Sequence, residues 1–92
     1  RQSKKIRIRQ IVVNNQADAD AILVQLKAGV EFIKLARTKS IDPSGSEGGD
    51  LGYFGPGELV PMFEEVVMKL QVGAISPVIR TPMGFHIFKR IE

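Results

Sequence analysis

Six of the nine glycines and two of the five prolines lie between residues 40 and 58. No long helix survives that composition, because each interior glycine costs roughly 1 kcal/mol and each proline about 3 relative to alanine. A central strand is equally poor, since proline cannot donate to a ladder and glycine has no side chain to pack. Regular elements are therefore expected on either side of a long irregular loop. Loops of this length are uncommon in compact domains and are usually functional. Within this one, Leu51-Gly52-Tyr53-Phe54 can make a short strand.

Residues 5–13 alternate charge with β-branched side chains and end in Ile11-Val12-Val13, the pattern of a strand whose final half is buried on both faces. Asn14-Asn15 signals a turn. A helix is expected over 16–28, with Ala17, Ala21, Val24 and Ala28 at three- and four-residue steps and Ile22 and Leu26 beside them. Gly29 supplies the left-handed residue that closes it. A second helix covers about 30–39, with Phe32, Leu35 and Ala36 on one face. Pro61 suits the first turn of a third helix, which runs to about Leu70 with Phe63, Val66, Val67 and Leu70 at i, i+3, i+4 and i+7. Two short strands follow near 75–80 and 85–91, joined by a turn at Thr81-Pro82-Met83-Gly84. The order β-α-α-loop-β-α-β-β predicts an α+β domain, with helices packed around a mostly antiparallel sheet.

At 92 residues the chain is expected to form one small domain with one core. No apolar run approaches the roughly 18–20 residues that span a bilayer, so no membrane insertion is expected. Cysteine is absent, which removes disulfides, thiolate nucleophiles and thiolate zinc sites. His86 is the single histidine, so a multi-histidine metal centre is excluded too, and no cofactor is expected. Charge is uneven along the chain. Residues 1–9 hold Arg1, Lys4, Lys5, Arg7 and Arg9 and no acid, whereas the other eight basic residues stand against ten acidic ones. No aromatic residue interleaves with this basic run, so stacking on nucleic-acid bases is not expected. The chain starts at Arg1 rather than Met, and it is expected to be a monomeric domain within a longer protein.

Five stretches carry a family resemblance: Ser40-Ile41-Asp42-Pro43, Gly48-Gly49-Asp50-Leu51-Gly52-Tyr53-Phe54, Leu59-Val60-Pro61-Met62-Phe63-Glu64, Gly73-Ala74-Ile75-Ser76-Pro77-Val78 and Thr81-Pro82-Met83-Gly84-Phe85-His86-Ile87. In order and spacing they resemble the parvulin-type (PpiC-type, rotamase) peptidyl-prolyl cis-trans isomerases. Leu26-Lys27-Ala28-Gly29, followed by Phe32 and Leu35-Ala36, fits as well. The likeness covers about residues 6–92 and leaves 1–5 as a basic arm or linker. It implies a parvulin-like (FKBP-like) fold: a four-stranded sheet, three long helices and a short one in the 43–48 loop. Within the family the chain looks most like the isomerase domains of bacterial SurA-type chaperones of outer-membrane proteins. Those share the Gly84-Phe85-His86-Ile87 ending and a short, non-basic turn at Asn14-Asn15. Phosphoserine-specific members carry a basic loop there to hold phosphate, so no phospho-dependence is expected. There is one departure: Gln10 stands where the family usually has a histidine in the first strand.

The resemblance also implies a site. Leu51, Leu59 and Phe63 fall on the family's proline-pocket positions, with Met62 and Met83 at the edge. Asp42 falls on its acidic or thiol position, where a carboxylate near the substrate carbonyl raises the energy of the planar, charge-separated amide. His86 is expected to orient the centre through hydrogen bonds to Thr81, Gln10 or Asp42. Asp50 is expected to tie down the loop by bonding backbone amides. Without the family each residue has an ordinary role: packed core for the apolar ones, a turn or cap for Asp42, a hairpin turn for Thr81, a satisfied strand histidine for His86.

The implied reaction makes and breaks no bond. A prolyl peptide bond passes through a twisted state about 18–20 kcal/mol up, because twisting costs amide resonance. A thousandfold acceleration needs about 4 kcal/mol of selective stabilisation. A greasy pocket for the ring and a donor near the prolyl nitrogen can supply it without nucleophile or metal. The expected function is rotation of X-Pro bonds in proline-containing unfolded polypeptides, outer-membrane protein precursors among them, in the periplasm. The alternative is a catalytically weak or inactive peptide-binding module of a chaperone, and Gln10 is the reason for it.

Overall fold

The computed structural model describes residues 5–92, so most of the expected basic arm lies outside the described residues. Strand β1 (Ile6–Val13) is the axis of the fold. Its period-two pattern sends Ile6 and Ile8 to one face of the sheet and Ile11 and Val13 to the other. One edge pairs with β2 (Asp50–Phe54), from Ile6↔Phe54 to Arg9↔Asp50. The opposite edge pairs with a later strand, Gly84–Arg90, along Ile8–Val13. That strand is β4, and β3 (Ile79–Thr81) lies outside it. The order is β2-β1-β4-β3, and every pairing is antiparallel, so the sheet is antiparallel throughout.

Beyond Arg9 the glycine-rich loop replaces β2 along β1. Gln10 N–H donates to Gly49 O at 2.8 Å, Ile41 N–H to Val12 O at 2.8 Å, and Val12 N–H to Ser40 Oγ at 3.0 Å. Gly49 has φ of +82°, and a Cβ there would run into the backbone of Gln10. Only glycine allows the loop this close. The loop also contains a short 3₁₀ helix, Pro43–Glu47, as the family resemblance implies.

Two helices cover one face. Helix α1 (Gln16–Lys27) starts at Asn15, whose side chain accepts from Asp18 N–H at 2.8 Å, so the expected turn is also a helix cap. Helix α2 (Phe32–Lys39) buries Phe32, Leu35 and Ala36, as expected. The face of α1 departs from expectation. Ala17, Ala21, Val24 and Ala28 are exposed, and the buried stripe is Ala19 and Ile22 with Leu23 and Leu26 beside them. Both stripes have helical spacing, and the one with more apolar area to bury wins the core.

The other face carries α3 alone (Pro61–Met68), with Val67 buried. The strand expected over 75–80 is broken. Ile75 bridges Lys89, but the ladder resumes only at Ile79. Pro77 has no N–H to give, and Ser76 fills the gap: its N–H donates to Phe88 O, while its hydroxyl accepts from Phe88 N–H and donates to Pro77 O.

Candidate active site

His86 sits in mid-β4, and antiparallel register decides its neighbours. Gln10 pairs with Phe88 and Thr81 with Gly84, so both lie diagonally next to His86, one on each side. The ring is held at both nitrogens. Nδ1 meets Gln10 Oε1 at 3.0 Å and Nε2 meets Thr81 Oγ1 at 2.6 Å. With the amide oxygen of Gln10 facing the ring, Nδ1–H is the donor there, and Nε2 accepts from the Thr81 hydroxyl. Thr81 in turn accepts from Met83 N–H at 3.1 Å. The result is a chain of hydrogen bonds from the hairpin backbone through Thr81 and His86 to β1. The Gln10 amide nitrogen donates to no partner among the described residues.

Phe63 closes this network from the α3 side. Its ring centre lies 4.9 Å from that of His86 and 4.9 Å from that of Phe88. Leu51, Leu59 and Phe63 are partly buried against Ile6, Ile8, Val67 and Phe88, which makes an apolar floor beside a polar wall. Met62 and Met83 are 54% and 75% exposed and stand clear of that floor. Burial pushes the His86 pKa below its ordinary value, and the Asp42 carboxylate opposes this more weakly through its charge. Burial thus disfavours the charged ring, and in the neutral form Nε2 accepts from Thr81 while Nδ1–H donates to Gln10.

Asp42 is placed differently from His86's other neighbours. It caps the 3₁₀ helix, accepting from Ser44 N–H at 3.0 Å and from the Ser44 hydroxyl. No hydrogen bond joins it to His86 among the described residues, so it reaches the ring only through its field. Asp50 accepts from the backbone N–H of Gly52 at 2.9 Å, and it also pairs with the Arg7 guanidinium, which sequence reading missed. That hydrogen-bonded pair holds the Asp50 carboxyl below its ordinary range. Two further participants were missed. Phe88 has a signal in the sequence, since it lies two residues from His86 in a strand and so shares its face. Ser40 has none, because its bond to Val12 depends on where the loop docks.

A PPIC-type PPIASE (rotamase) domain matches residues 8–92. The chain belongs to the parvulin, or PpiC-type peptidyl-prolyl isomerase, family. Its similarity to parvulin-containing chaperones is substantial: it is 46% identical to the foldase protein PrsA of Geobacillus kaustophilus, over 92% of this chain and 31% of that protein. It is 40% identical to the chaperone SurA of Thiobacillus denitrificans, over 98% of this chain and 22% of that one. The chain therefore spans under a third of these relatives' length. Among solved structures, PrsA from Bacillus cereus superposes with a TM-score of 0.92 at 36% identity, over 98% of this chain and 35% of that one. The parvulin of Nitrosopumilus maritimus superposes with a TM-score of 0.87 at 44% identity, with both chains covered completely. This parvulin domain shares the α+β fold of both.

Proposed function

We propose that residues 6–92 form a parvulin domain that accelerates X-Pro rotation in unfolded or peptide substrates, without covalent chemistry and without need of phosphate. The observation that carries this reading is the histidine held at both ring nitrogens beneath the Phe63 ring. In this reading the proline ring seats on Phe63, with Leu51 and Leu59 as floor and Met62 and Met83 as a flexible rim. The apolar seat favours the twisted amide, whose carbonyl is less polar than that of the planar form. His86 and Thr81 act by position, because a neutral, doubly bonded ring has no proton to spare. The Gln10 amide N–H groups are donors that a bound peptide can satisfy. Asp42 contributes charge near the substrate carbonyl.

SurA- and PrsA-type relatives support unfolded polypeptides as substrates and an extracytoplasmic location. Outer-membrane protein precursors in the periplasm are the finer reading. No helix among the described residues is long and apolar enough to cross a membrane.

The test is prolyl-peptide isomerisation with the purified 92-residue chain, followed by line-shape or exchange NMR so that no protease is needed. Acceleration above the uncatalysed rate is expected. Peptide binding without acceleration would sink the enzyme reading and leave the second one, a peptide-binding module. Gln10 is the observation that favours that alternative, and Gln10→His measures it: a large gain in rate marks the natural chain as a weakened enzyme.

A further inference from the structure

The loop that brings Leu59 to the apolar floor is weakly held. Gly55-Pro56-Gly57-Glu58-Leu59-Val60 joins β2 to α3. Pro56, Gly57, Glu58 and Val60 are exposed, while Leu59 packs on the cluster of Ile6, Ile8, Val67 and Phe88. Two hydrogen bonds stay inside the loop: Gly55 N–H donates to Glu58 Oε1 at 2.6 Å, and Glu58 N–H to Gly55 O at 3.1 Å. An exposed ion pair at 4.0 Å joins Glu58 to Lys5. Packing against α3 is incomplete. A cavity of about 540 Å³ opens between the loop and the helix, lined by Gly57, Leu59, Pro61, Glu64 and Met68 among others.

Glu64 spans that gap. It lies in the first turn of α3, and its Oε1 accepts from Gly57 N–H at 3.0 Å. Helical side chains lean toward the N-terminus, which is the direction of the loop. A carboxylate is also favoured at that end of a helix. Among the described residues this is the one hydrogen bond that ties residues 55–59 to α3. Phe63, the preceding residue, sits in the same turn against His86 and Phe88. One turn of α3 therefore holds two parts of the floor, Phe63 directly and Leu59 through Gly57.

We propose that Glu64 is a positioning residue for the proline seat, which fixes the Leu59 loop through the Gly57 N–H. The inference rests on the proposed isomerase site. Glu64 works here as an acceptor, and the amide oxygen of a glutamine can do the same. A loosened wall must be ordered each time a peptide binds, so the cost falls on affinity rather than on the twisting step. One hydrogen bond of this kind corresponds to about two- to tenfold in binding.

The experiment compares the wild-type chain with Glu64→Ala, Glu64→Asp and Glu64→Gln, and with Glu65→Ala as the neighbouring control. Three quantities are read: kcat and KM on a prolyl peptide, its Kd by fluorescence anisotropy, and the temperature coefficient of the Gly57 amide proton. Glu64→Ala, and Glu64→Asp with its shorter reach, should raise KM and Kd about two- to tenfold and leave kcat within about twofold. In both, the Gly57 amide should take on the coefficient of a solvent-exposed proton. Glu64→Gln should restore all three readings, and Glu65→Ala should match the wild type. A Gly57 amide released in Glu64→Ala with KM and Kd unchanged overturns the positioning role. So does a fall in kcat with no rise in KM, or a Glu64→Gln chain that behaves like Glu64→Ala. If no peptide is accelerated, the isomerase reading fails while the Kd ratios still decide the role of Glu64. Failure to bind any peptide overturns both.

Discussion

The two faces of the sheet are built to different degrees of closure. Under α1 and α2 lie eight buried apolar residues, Phe32, Leu35 and Ile87 among them, and six partly buried ones at the margin. The apolar cluster beneath α3 has four buried members, Ile6, Ile8, Val67 and Phe88, beside the buried Gln10, Val12 and His86, and seven apolar residues stay partly open, including Leu51, Leu59 and Phe63. One short helix cannot cover a face that two helices cover on the other side. A face left half-open costs stability, because apolar area stays in water. It also leaves an apolar surface for a ligand to bury, next to the hydrogen-bonded His86. The closed face holds the fold, and the open face is the one on which the proposed function seats a substrate.

The sharpest way to break this contrast is to cut one residue from each face. Leu35→Ala should cost about 2–4 kcal/mol in denaturant unfolding, as full truncation of a buried leucine does. Phe63→Ala is expected to cost about half as much, since the ring is only partly buried, yet to lower kcat/KM about tenfold or more. Equal stability losses with unchanged rate in Phe63→Ala would erase the distinction between the faces.

The loop that borders the open face depends on Gly49 in the same way that the network depends on Gln10. Gly49→Ala should destabilise the fold by about 1–3 kcal/mol, through its positive φ and the clash with the Gln10 backbone. It should also shift the His86 ring resonances, because Gln10 carries both contacts. A neutral outcome in both measurements would mean that the loop can leave β1 without cost.

A smaller effect comes from pH. Burial disfavours the His86 imidazolium, so its folded pKa lies below the ordinary value. Between those two values the unfolded chain binds more protons than the folded one. Stability is therefore expected to fall as pH drops through that window. Asp50 adds to the loss at lower pH, because its depressed pKa stabilises the fold only while it is ionised. NMR titration of His86 should give a midpoint below 6.5, and a midpoint above it would contradict the neutral ring.

Much of this was legible in the sequence where local patterns carry the information. The β1 alternation, the α2 face and the shared face of His86 and Phe88 all follow from period two or period 3.6. The α1 face did not follow, because two apolar stripes with acceptable spacing compete in 16–28 and small alanines serve either. The break at Ser76-Pro77 has a local cause in proline, but its repair by the Ser76 hydroxyl does not. The same holds for Asp42: its identity fits both a cap and a catalytic acid, and only the fold shows that it caps the 3₁₀ helix without bonding His86. Arg7–Asp50 and Ser40–Val12 join residues far apart in sequence, where no local pattern reaches.

Amide chemical-shift mapping of the chain with a proline peptide tests the contrast between the two faces most directly. Shifts are expected at Leu59, Phe63, Thr81 and His86, with little change along α1 and α2. Shifts concentrated instead on the groove lined by Leu23, Leu26, Ile75 and Pro77, on the helix-covered side, would contradict it.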